Sequence, residues 1–117
     1  MDIHNYPPIN YAPLLKNGEK IAVHCKTEEE AKHFIARMVC DHPKHCGGSW
    51  SNENINYHRY GANTCYRPSI NTTSRIMSYC SLEYYIKNGF TIIPFEELLI
   101  LPDIEESEYS ICSLIGL

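Results

Sequence analysis

Ala31, Phe34, Ile35, Met38 and Val39 recur at i, i+3, i+4, i+7 and i+8, one apolar stripe on a helix of about three or four turns. Thr27 and Glu30 precede the stripe as a capping box, in which the Thr27 hydroxyl accepts from the Glu30 amide while Glu30 reaches back. Glu28 and Lys32 add an i, i+4 pair in the favourable order on the outer face. Before the helix, Lys20 to His24 is a short β-prone run set off by a turn at Gly18. Met1 to Pro13 carries three prolines and no periodicity, which predicts an extended arm lying on the domain.

Beyond the helix, Pro43 and the Gly47–Gly48 pair break the period, and polar residues continue to about Asn56. Tyr57 to Cys80 is rich in Tyr, Thr, Ile and Asn, which predicts two or three short antiparallel strands. Ser81 to Asn88 reads as a short helix with Ser81 as N-cap and Gly89 as C′ residue. Phe90 to Ile93 reads as a buried strand, and Pro94 to Leu98 as a turn or a single helical turn. The segment 102–110 is acidic, and an apolar end holding Ile111, Cys112, Leu114, Ile115 and Leu117 suits a last strand. The expected architecture is one α+β domain over residues 1–117. It would have a small antiparallel sheet, one long helix and one or two short ones, stapled by a zinc-binding loop.

Composition narrows the function classes. The chain has 117 residues, the size of one domain, and 44% of them are apolar, enough for a core. At this length a chain buries somewhat less than about 70% of its unfolded surface, so a metal clip would add usefully to stability. The net charge of −4 offers nothing to a phosphate backbone, so no direct nucleic-acid binding is expected, and a basic protein surface suits it better. The opening residues lack a basic start and an apolar core of the secretory kind, and no run approaches the roughly 18 apolar residues of a membrane span. A cytoplasmic setting is therefore expected, in which the six cysteines serve metal binding or burial rather than disulfides.

The chemistry concentrates between Cys40 and Cys46, where Cys40, His42, His45 and Cys46 supply two thiols and two imidazoles within seven residues. Four such nitrogen and sulfur ligands make a closed, structural zinc site. Cys40 falls at the helix end, Pro43 can turn the chain, and the glycines let it leave at an unusual angle. His45 and Cys46 are neighbours, whose side chains diverge in an extended chain. Both reach one ion only through a tight turn, and otherwise His58, Cys65 or Cys80 takes the place of one. The competing reading makes these ordinary turn residues with half-buried thiols.

Elsewhere the signals are weaker. Cys25 follows a strand and precedes a helix N-terminus, a place where the dipole lowers a thiol's pKa. No partner pattern accompanies it, and burial at a strand end is the commoner role. His4 and His33 read as surface residues and Cys112 as core. Asp103, Glu105, Glu106 and Glu108 form an acidic stretch that is either solvated or docks on basic side chains. Among the nine tyrosines, Tyr57, Tyr60, Tyr66, Tyr79, Tyr84 and Tyr85 divide between core and an adhesive face.

The run Lys20 to Cys25 followed by Thr27 to Lys32 resembles the opening of a group of small accessory proteins encoded by phages and prophages of Gram-positive bacteria. The likeness continues through Trp50, Asn63 to Tyr66, Tyr84–Tyr85, Gly89 to Ile93 and Phe95 to Leu98, and spans roughly residues 18–99. The Cys40–Cys46 insertion and the acidic tail depart from that pattern and resemble a zinc-containing anti-CRISPR protein acting on the type II effector nuclease. The resemblance implies a phage-encoded, non-enzymatic inhibitor. It would bind the guide-loaded nuclease, whose basic channel holds the heteroduplex, and keep target DNA from loading. In that role Asp103, Glu105, Glu106 and Glu108 would contact the partner while zinc preorganises the loop. The alternative is a small hydrolase using zinc, with Asp41 or Glu53 as base, or using Cys25. A zinc-stabilised nucleic-acid adaptor is the third, opposed by the charge and the scattered Lys and Arg.

Overall fold

A computed structural model of the chain describes residues 5–16, 20–47, 50–51, 54–70 and 76–100. His4, Glu53, Cys112 and the acidic segment 102–110, with Asp103, Glu105, Glu106 and Glu108, lie outside the described residues. In chain order the elements are helix α1 (Ala12–Lys16), strand β1 (Ile21–His24), helix α2 (Glu28–Asp41), strands β2 (Thr64–Arg67) and β3 (Ser78–Ser81), helix α3 (Leu82–Lys87) and strand β4 (Thr91–Pro94). Single turns of 3₁₀ helix sit at Pro43–His45, Tyr57–Arg59, Gly61–Asn63 and Phe95–Leu98. The class is α+β, as the periodicity predicts.

The sheet runs β3-β2-β1-β4 and is mixed rather than wholly antiparallel. β1 pairs antiparallel with β2, with Val23 opposite Tyr66 and His24 opposite Cys65. β2 pairs antiparallel with β3, with Cys65 opposite Cys80. β4 lies parallel to β1, with Val23 opposite Ile93. A parallel neighbour needs a long connection. Here the whole of α2, β2, β3 and α3 lies between the two strands, a pairing that no local pattern encodes.

Alternation along the strands sends side chains to two unequal layers. Ile21 and Val23 join Ala31, Phe34, Ile35 and Met38 of α2, together with Tyr66, Phe95 and Leu98, in the main core. Ala22 and Cys65 turn the other way and meet Tyr85 of α3, with Cys80, Phe90 and Ile92 around them. The main core is rich in rings: Phe34 lies 6.0 Å from Tyr66 and 6.2 Å from Phe95. Trp50 closes it, 5.9 Å from Tyr66 and 5.9 Å from Tyr79. Tyr66 is fully buried, and its hydroxyl donates to the Ile55 carbonyl at 2.6 Å, so its polar tip is satisfied.

The caps form as the sequence requires. The Glu30 amide donates to Thr27 Oγ1 at 3.1 Å. The Glu30 carboxylate accepts from the Lys26 amide at 2.9 Å, one residue before the position a strict capping box uses. At α3 the Tyr84 amide donates to Ser81 Oγ at 3.1 Å. Its other end is a Schellman motif: Phe90 N–H donates to the Tyr85 carbonyl at 3.0 Å and Gly89 N–H to the Ile86 carbonyl at 3.2 Å. Gly89 occupies φ +81°, and the accompanying apolar contact is Phe90 on Tyr85, with ring centroids 4.7 Å apart.

The N-terminal segment is pinned across the sheet's end. Ile9 bridges Leu99, the Asn10 amide donates to the Leu98 carbonyl at 2.8 Å, and α1 buries Leu14. Among the described residues no helix is long and apolar enough to cross a membrane.

Removing the Phe34 ring should cost about 3–5 kcal/mol in urea unfolding, since it is buried at the ring cluster. Thr27→Ala should cost about 1 kcal/mol, and Gly89→Ala about 1–2 kcal/mol through its left-handed backbone. A Phe34→Ala loss no larger than that of Thr27→Ala would contradict this ordering.

Candidate functional site

Two regions carry the chemistry, one at the end of α2 and one beneath α3. At the first, Asp41 ends α2, where the helix dipole disfavours an anion. Arg37, one turn earlier, answers with a two-pronged ion pair: Nη2 to Oδ1 at 2.9 Å and Nε to Oδ2 at 3.2 Å. The Tyr11 hydroxyl adds a donor to Asp41 Oδ2 at 2.8 Å, and Arg37 Nη1 reaches the Tyr6 carbonyl at 3.2 Å. Partial burial pushes the Asp41 carboxyl up, but hydrogen bonds from Tyr11 and Arg37 outweigh it and hold the group below its ordinary value. Burial first, and then the Asp41 contact, push the Tyr11 phenol far up. This cluster ties the N-terminal segment to α2.

The four sequence-predicted zinc ligands follow. Cys40 lies on the exposed side of α2. His42 caps the helix, half-buried, with its ring edge-on to Tyr11 at 4.5 Å, and burial lowers its pKa. His45 ends the Pro43–His45 turn, its ring 6.4 Å from that of His42, and its carbonyl accepts from the Met77 amide. Cys46 points inward as a member of the main core at 2% exposure. Its thiol donates to the His42 carbonyl at 3.6 Å, and burial pushes its pKa up to about 11.

The tight turn expected at His45–Cys46 is present, but it sends Cys46 into the core while Cys40 faces solvent. The set as placed does not fit a closed tetrahedron. Among the described residues no three or more His, Cys, Asp or Glu side chains are grouped to hold a metal ion. The substitutes do not help. Cys65 and Cys80 lie on the opposite face of the sheet with α3, and His58 is exposed on its own turn.

Other residues depart from their expected roles. Cys25 is fully buried, and burial raises its thiol well above the ordinary value, overriding the dipole of the helix that follows. His33 is half-buried rather than superficial: Nε2 donates to the Pro7 carbonyl at 2.7 Å and the ring packs 5.1 Å from Phe95. His24 Nε2 donates to the Ala62 carbonyl at 2.7 Å, fixing the turn that leads into β2.

Beneath α3 lies a group that sequence reading did not single out. Arg67, at the end of β2, holds its guanidinium carbon 4.9 Å from the centre of the Phe90 ring, and Lys20 Nζ approaches the same ring at 5.7 Å. Phe90 is set there by the Schellman turn, and Tyr85 packs against it. Arg67 Nε is buried without an acceptor. A pocket of about 360 Å³ opens here, lined by Arg67, Ser78, Tyr84, Tyr85 and Phe90 among others. On the other flank of α3 a second depression involves Asn63, Leu82 and Ile86. Between them α3 exposes half of Tyr84 and 59% of Ile86. Nothing in the sequence marks Arg67, because Phe90 lies 23 positions away, beyond β3 and α3.

No protein-family model, curated protein or solved structure matches the chain closely enough to indicate a relative.

Proposed function

We propose that this chain is a non-enzymatic, phage-encoded inhibitor that binds the guide-loaded nuclease of a type II CRISPR system and keeps target DNA from loading. The observation that carries the reading is the α3 face. A short helix, capped at both ends and backed by the sheet, presents Tyr84 and Ile86 to solvent between two depressions. Exposed aromatic and aliphatic anchors on a rigid backing are the material of protein-binding hot spots, because little entropy is lost on docking. The net charge of −4 suits a nuclease whose heteroduplex channel is basic. The resemblance carried by the Cys40–Cys46 insertion and the acidic tail supplies the identity of the partner.

The reading includes a structural zinc on Cys40, His42, His45 and Cys46. Its support is the ligand chemistry of the segment, and it requires the Cys46 side chain to turn out of the core. Elemental analysis of the purified protein is expected to give one zinc per chain, lost in Cys40→Ser and in His45→Ala. Wild-type protein without metal removes zinc from the account and leaves the α3 face as its basis.

Calorimetry against guide-loaded type II nuclease is expected to give a saturable complex that blocks loading of target duplex, with no binding to the duplex alone. Tyr84→Ala and Ile86→Asp should each weaken the complex by about tenfold or more. Charge reversal at Glu105, Glu106 and Glu108 should weaken it further if the acidic segment docks as well. Tight, salt-sensitive binding to free duplex, or an unaltered complex in both α3 variants, would overturn the reading.

A further inference from the structure

We propose that the pocket between β2, β3 and the α3–β4 turn binds a small organic oxyanion, a carboxylate or phosphate monoester carried on a flat apolar body. This inference stands apart from the nuclease reading and rests on Arg67. Its guanidinium carbon lies 4.9 Å from the centre of the Phe90 ring, within cation–π reach. Nε–H is shielded from water and has no acceptor. A buried donor without a partner is uncommon and calls for an explanation, such as an unfilled ligand position.

Nε–H with a neighbouring Nη–H is one of the two-pronged edges by which arginine takes a carboxylate or a phosphate. Among the described residues no acid meets Arg67. Among the described residues the ion pairs are Lys26–Glu96 and Arg37–Asp41, and Arg67 is in neither. Glu83, the acid of α3, lines the depressions on the helix's other sides, away from Arg67. Tyr85 is neutral, because burial pushes its phenol up to about 12. Lys20, on the same Phe90 ring, adds a second positive charge.

The remaining lining matches the rest of such a ligand. Ser78 brings a hydroxyl that also meets the Tyr85 phenol, and Tyr84, Tyr85 and Phe90 bring ring surface for the flat body. At about 360 Å³ the space is at the lower end of small-molecule sites, which fits a single ring with its acid group and excludes a large cofactor.

The test is an NMR titration of the whole chain that follows the Arg67 Nε–H resonance. The probes are phenyl phosphate, benzoate, inorganic phosphate and phenol. Phenyl phosphate or benzoate should move that resonance saturably, the tighter of the two identifying the oxyanion. Inorganic phosphate should bind about tenfold more weakly for want of the apolar body, and phenol should not move it. Arg67→Gln should abolish saturable binding, and Phe90→Leu should weaken it while the fold, followed by circular dichroism, persists. The wild-type titration stands even if a variant fails to fold. No saturable shift of Arg67 Nε–H with either acid, or undiminished binding by folded Arg67→Gln, would overturn the proposal.

Discussion

Strand β1 is paired along both edges and buried on both faces, so four residues meet four boundaries at once. Ile21 and Val23 must fit beneath α2, Ala22 must be small enough for Tyr85 and the α3 layer, and the backbone must pair with β4 along all four residues and with β2 at Val23 and His24. The rest follows from satisfying that strand. α2 can cover one face because Thr27 starts it two residues after the buried Cys25. β4 can lie parallel to β1 because β2, β3 and α3 fill the connection.

The two faces are built to different standards. Against α2 the chain sets large rings and branched side chains, with Tyr66 satisfied by the Ile55 carbonyl. Against α3 it sets thiols, one tyrosine and a half-buried phenylalanine, in a layer that leaves Arg67 partly uncovered. A densely packed face confers stability, whereas a thin one leaves room for ligands and partners. That asymmetry is why the functional proposals converge on α3 although the cysteine- and histidine-rich segment lies at the end of α2.

What could be read from the sequence was local. The α2 stripe and both helix starts depend on residues three or four apart, and Gly89 was legible as a C′ residue because left-handed backbone favours glycine. The parallel partnership of β1 with β4 was not legible, since it joins strands separated by most of the fold. The zinc segment shows where counting ligands falls short of placing them. Cys40 is two positions beyond the inward Met38, which at about 100° per residue sets it on the outer side of the helix. By the same helical phase, both thiols meet one ion only if Cys46 turns out of the core. Arg67 with Phe90 needed both the β2–β3 pairing and the turn after α3.

A strand held on both edges and both faces should be the last element to open, and the α3 face rests on it. Native-state hydrogen exchange tests this directly. The amides of residues 21–24 should exchange only through global unfolding, with a denaturant dependence equal to that of the whole domain, while amides of α3 open at lower free energy. Exchange of the β1 amides by local opening, faster than those of β3 at the sheet edge, would contradict the account.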